Sequence, residues 1–150
     1  MSLFERINSD LKEAMKAKNT KKIGVLRLLL SSLKNKIIDN ELKGKGNNLS
    51  DEETSSILQN EAKKRRESAS IFSENKRTDL ASKENEELEI ILEFLPSQMS
   101  KDEIQSFVKK FIEKEKPSDF GSAMKKMSVD LRGKADGKVV SEIVKSFFNN

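Results

Sequence analysis

The stretch LRGKADGKVV, Leu131 to Val140, places three cations (Arg132, Lys134, Lys138), two glycines (Gly133, Gly137) and Asp136 in one short segment. A plain helix–helix connection needs one glycine at most. Cations in a turn ahead of a helix can neutralise phosphates, and the free N–H groups and positive dipole end of that helix add to the pull on an anion. Glycine lets a partner's backbone approach closely. Asp136 fits the N-cap of the helix that follows. Lys125 and Lys126 lie a short way upstream and can extend the same basic surface. A basic patch is by itself only an electrostatic footprint, and these lysines suit a solvated helix end equally well.

A second group of charges sits mid-chain in QNEAKKRRES, Gln59 to Ser68. A helix there has Leu58, Ala62, Arg65, Ala69 and Phe72 on one face, so Arg65 falls on the apolar side. The next helix carries Leu80, Glu84, Glu87, Leu88, Ile91 and Leu95 on or beside its inward face. Antiparallel pairing sets Arg65 opposite Glu87 and Ala69 opposite Glu84, which favours a charge-assisted ion pair. Such a pair ordinarily specifies helix register. Lys63, Lys64 and Arg66 point outward, where a basic run is most often a solvated face and alternatively an anion-binding patch.

Composition narrows the chemistry further. The 150 residues contain no Cys, His, Trp or Tyr. That removes thiol nucleophiles, disulfides, Cys/His metal sites and histidine acid–base pairs. No catalytic, cofactor or metal site is expected. No apolar run approaches the ~20 residues of a membrane span. IGVLRLLLSSL is interrupted by Arg27 and lacks the flank of a signal peptide. A soluble, cytoplasmic protein without membrane contact is therefore expected. Apolar residues make up 35% and charged residues 36%, but the apolar ones recur at helical spacing, which argues helices with solvated faces over disorder. The net charge of +4 is uneven. Residues 1–50 carry 11 basic and 5 acidic side chains, 51–100 carry 7 and 12, and 101–150 carry 11 and 8. Two basic ends can meet polyanions; they are also compatible with an ordinary solvated surface.

The elements that position these residues are all helical. Ser2-x-x-Glu5, Ser50-x-x-Glu53 and Ser100-x-x-Glu103 each fit a capping box. The first helix is expected over Leu3–Lys18 with Phe4, Ile7, Leu11 and Met15 inward. The second follows Asn19-Thr20 with Leu26, Leu29, Leu30, Leu33 and Ile37 inward, and Leu28 and Ile38 widening that stripe. A polar loop at 43–48 leads to a third helix ending near Asn75. A fourth runs from about Asp79 to Leu95, where Pro96 stops it. Three more follow: one after Ser100, one carrying Phe120, Met124, Met127 and Leu131 and closed by Gly133, and one after Asp136. The expected fold is all-α. Residues 1–95 form an antiparallel bundle of about four helices, and 97–150 form a small three-helix module.

Four segments carry a family resemblance: VLRLLLSSLKNKIID, LQNEAKKRRESASIF, RTDLASKENEELEIILEFLPSQMS and LRGKADGKVVSEIVKSF. In this order they resemble the YqeY family, which is related to the tail domain of the B subunit of the tRNA-dependent amidotransferases (GatB). The resemblance implies a two-part helical fold and a tRNA-binding accessory role. The partner would be tRNA together with an amidotransferase subunit or an aminoacyl-tRNA synthetase. It also implies that Arg132, Lys134, Gly137 and Lys138 belong to the part of the tail that contacts tRNA. The family's association is with carbon–nitrogen ligase activity using glutamine as amido donor. The catalytic domain and glutaminase of that reaction have no counterpart here, so the chain is not expected to be an enzyme by itself. The alternative is a helical adaptor that binds protein and no nucleic acid, consistent with the absence of Tyr and Trp for base stacking.

Overall fold

Three of the helices start on the same chemistry. Ser2, Ser50 and Ser100 each accept a hydrogen bond from the backbone N–H of the glutamate three residues on, and that glutamate returns to the serine N–H. The computed structural model describes residues 1–148. Among them are seven helices and no strand: α1 (Leu3–Lys16), α2 (Thr20–Leu42), α3 (Asp51–Glu74), α4 (Thr78–Leu92), α5 (Lys101–Glu115), α6 (Phe120–Leu131) and α7 (Gly137–Phe148). They divide into two compact units, one spanning Met1–Leu95 and one beginning at Pro96.

In the first unit α3 packs along α4 and α1 along α2, and α2 touches both α3 and α4. Its core is built on Ile7, Leu26, Leu29, Leu33, Leu58 and Ile91, all fully buried. Burying each such side chain contributes about 1.5–3 kcal/mol. Two expectations fail here. Met15 is exposed, and Ala14 takes the inward position beside Ile7. Leu28 and Ile38 do not widen the α2 stripe; they are 45% and 53% exposed. At about 100° per residue both point well over 90° away from the centre of the buried stripe, so α2 has apolar residues on two faces.

Helix ends explain the remaining differences. α1 stops two residues early because Lys18 adopts the left-handed conformation, φ 55°. The turn closes with Asn19 N–H donating to the Ala14 carbonyl at 3.0 Å. Lys76 does the same after α3, φ 58°, with Arg77 N–H donating to the Phe72 carbonyl at 2.8 Å. α4 ends at Leu92, and 92–95 close as tighter turns, because the residue before a proline is pushed out of the helical region.

The second unit packs α7 against both α5 and α6. Ile104, Val108, Met127, Leu131 and Val144 form its core, and Phe107 stacks on Phe111 with ring centroids 6.5 Å apart. No helix of the described residues is long and apolar enough to cross a membrane.

Candidate nucleic-acid interface

The turn between α6 and α7 is shaped by one glycine and one aspartate. Arg132 leaves the helix at ψ 121°, and Gly133 reverses the chain at φ 79°, a conformation that an L side chain adopts only at a cost. Gly133 is buried, not open to a partner. Its carbonyl accepts from the Gln98 side-chain amide at 2.7 Å. The next carbonyl, Lys134, accepts from the Met99 N–H at 2.7 Å. The segment ahead of α5 therefore braces the turn from within the same unit. Asp136 Oδ1 accepts from Lys138 N–H at 2.9 Å and its carbonyl accepts from Val140 N–H at 3.0 Å, so it caps α7. Gly137 is exposed, with ordinary φ and open space where a Cβ would stand.

This bracing leaves Arg132, Lys134 and Lys138 exposed around the turn. Lys125 and Lys126 are exposed on α6, and Lys125, Val129 and Arg132 follow one another at helical spacing. None of these five cations has an ion-pair partner among the described residues, whereas close pairs link charges elsewhere, such as Lys43 with Asp39 and Arg65 with Glu61. Chemically, the surface can neutralise several phosphates. Asp130 and Asp136 are the nearby acidic residues in sequence, and Asp136 is spent on its cap.

The mid-chain charges are arranged differently. Arg65, its side chain 12% exposed, binds Glu61 Oε2 through Nη1 at 2.5 Å. Its Nε lies 3.6 Å from Glu87 Oε2 and makes no hydrogen bond. Glu84 is half-buried and forms no ion pair with Arg65. Glu61, not among the residues expected in the pair, is only 8% exposed and also receives Lys64 Nζ at 3.4 Å and the Ser32 hydroxyl at 3.5 Å. The signal for it was present as a glutamate four residues before an arginine, the spacing at which helical side chains meet. Lys64 is thereby tied to Glu61, so Lys63, Lys64 and Arg66 do not form a set of unpaired cations.

Residues 4–148 match the family model described as "Yqey-like protein". Three curated relatives bear the name "Altered inheritance of mitochondria protein 41, mitochondrial". The one from Clavispora lusitaniae is 32% identical over 157 residues, covering 99% of this chain and 89% of that protein. The one from Vanderwaltozyma polyspora is 36% identical over 108 residues, 71% of this chain and 56% of that protein. The one from Candida glabrata is 36% identical over 90 residues, 59% of this chain and 47% of that protein. These names overturn the expected cytoplasmic placement and point to mitochondria instead. The physical reason is simple. Composition and apolar spacing carry no compartment address, so they do not distinguish cytoplasm from mitochondrion.

Proposed function

The chain belongs to the YqeY-like family, and from that membership we propose that it is a tRNA-binding accessory protein that acts with a tRNA-dependent amidotransferase or an aminoacyl-tRNA synthetase. We read its helices as an antiparallel bundle, α1–α4, followed by a three-helix module, α5–α7, that carries the RNA contact. The observation that supports this reading is the group of five exposed cations at and beside the α6–α7 turn, Arg132, Lys134, Lys138, Lys125 and Lys126, which have no ion-pair partner among the described residues. Gly137 at the first position of α7 leaves the helix N-terminus accessible. Contacts of this kind hold phosphates and do not read bases, so the partner enzyme supplies tRNA identity. A carbon–nitrogen ligase reaction would be the partner's chemistry.

The test is tRNA affinity at several salt concentrations for the wild type and for the triple variant Arg132→Ala, Lys134→Ala, Lys138→Ala, with helicity checked by circular dichroism. Wild-type affinity is expected to fall steeply with salt, and each lost phosphate contact should reduce the slope by about one unit. A folded triple variant with unchanged affinity and slope removes the turn from the binding surface. A wild type with no salt-dependent tRNA binding favours the protein adaptor instead.

A further inference from the structure

Along the solvent side of α2, Gly24, Leu28, Ser31, Asn35, Ile38 and Leu42 succeed one another in alternating steps of four and three residues, and all six are exposed. Scattered apolar side chains on a surface are normal. Here Leu28, Ile38 and Leu42, at 45%, 53% and 83% exposure, fall on one line about 21 Å long. That 3.5-residue repeat is the seam by which helices pair, and a single asparagine in such a seam sets register. We propose that the outer face of α2 binds a second copy of this chain, α2 against α2 in antiparallel orientation.

The seam is complementary to itself when reversed. Setting Leu28 against Ile38 of the second copy also sets Asn35 beside Ser31 and Leu42 over Gly24. Apolar thus meets apolar, polar meets polar, and the largest protrusion meets the one residue without a side chain. A Cβ at Gly24 would meet nothing within 4 Å, so the space for Leu42 is open. The flanking charges agree. Arg27 comes beside Glu41 of the second copy, twice by symmetry, and neither has an ion-pair partner among the described residues. The single like-charge meeting is Lys34 with its own copy near the axis, where long exposed side chains can diverge. A parallel pair would instead put Gly24 against Gly24 and Ser31 against Ser31, leaving half the layers unfilled. It would also lean on Asp39, which already holds Lys43 at 3.0 Å and Lys36 at 3.6 Å.

One helix pair is at the small end of specific interfaces, so the dimer should depend on concentration. Sedimentation of the full chain from micromolar to high concentration is expected to show the mass rising toward twice that of one chain. Ile38→Glu should abolish the rise with unchanged circular dichroism, because the position is exposed. Arg27→Glu should weaken association about tenfold, and Glu41→Arg added to the same chain should restore it. The chain has no cysteine, so a mixture of Leu28→Cys and Ile38→Cys chains should form a disulfide under mild oxidation. Leu28→Cys alone should not, its two thiols lying about 15 Å apart along the axis. A chain that stays monomeric at every concentration overturns the proposal. So does crosslinking of Leu28→Cys alone as readily as the mixture.

Discussion

Removing the Arg65 side chain leaves the buried Glu61 with only the exposed Lys64 and the Ser32 hydroxyl and leaves Glu87 without its cation, so Arg65→Ala is expected to destabilise by about 3 kcal/mol. The two carboxylates are not equal partners. Glu61 is the closer to Arg65 and has the more buried side chain, 10% exposed against 26% for Glu87. Glu61→Ala should therefore cost more than Glu87→Ala, read as a shift in denaturant midpoint at constant m-value. Equal costs, or the reverse order, would mean that the cross-helix contact and not the one within α3 anchors the arginine. Arg65 and Glu87 are legible in the sequence from the helix faces on which they fall. Glu61 carries little weight in the sequence, because an i, i+4 pair on an exposed helix is worth only a few tenths of a kcal/mol; it matters here because Glu61 is buried and the Ser32 hydroxyl of α2 reaches it.

At the scale of elements, the helix ends carry testable chemistry. The Glu53 carboxylate accepts the Ser50 N–H at 3.1 Å and the Asn40 side-chain amide at 3.2 Å. The first of these, then the second, hold its pKa below the ordinary glutamate value. A depressed folded-state pKa means the contribution is complete above the unfolded-state value of about 4.3 and is lost as pH falls through the lower folded value. Stability should decline across that acid window, and Glu53→Gln, which keeps an acceptor but not the charge, should flatten this part of the profile. A profile unchanged by Glu53→Gln would assign the acid sensitivity elsewhere. The C-terminal ends invite a paired experiment. Gly133→Ala forces an L residue to φ 79° and should cost about 1–2 kcal/mol. Lys76→Gly relieves the opposite situation at φ 58° and should be neutral or stabilising by up to about 1 kcal/mol. Thermal melts of the two variants decide this, and a destabilising Lys76→Gly would show that the lysine contributes more than its backbone strain. Gly133 was legible in the sequence because glycine commonly ends a helix. The ends of α1 and α3 were misplaced by one or two residues because lysine carries no such signal.

For the whole molecule, each unit has a core made from its own helices. Residues 1–95 produced alone are expected to unfold cooperatively, with calorimetric and van't Hoff enthalpies in agreement. A broad, non-cooperative melt would show that this core needs the rest of the chain. The second unit is much smaller, and a domain of that size buries a lower fraction of its surface, so residues 96–150 alone should be markedly less stable. The cations of the α6–α7 turn belong to this second unit. For that reason the tRNA experiment is best done on the full chain.

The sequence by itself determined the helical class, the three serine-capped helix starts, the break at Pro96 and the Gly133–Asp136 turn. Each of these depends on residues a few positions apart, whose geometry is set before any packing occurs. The spacing of Leu26, Leu29, Leu30 and Leu33 already marked the inward stripe of α2, and tertiary structure decided only that Leu28 and Ile38, on the opposite face, stay outside the core. They stay out because a helix with apolar residues on two sides is oriented by its neighbours, here α1, α3 and α4. Tertiary structure also decided that Gly133 is braced by Gln98 instead of opening to a partner, since a carbonyl's acceptor role depends on which distant segment arrives beside it.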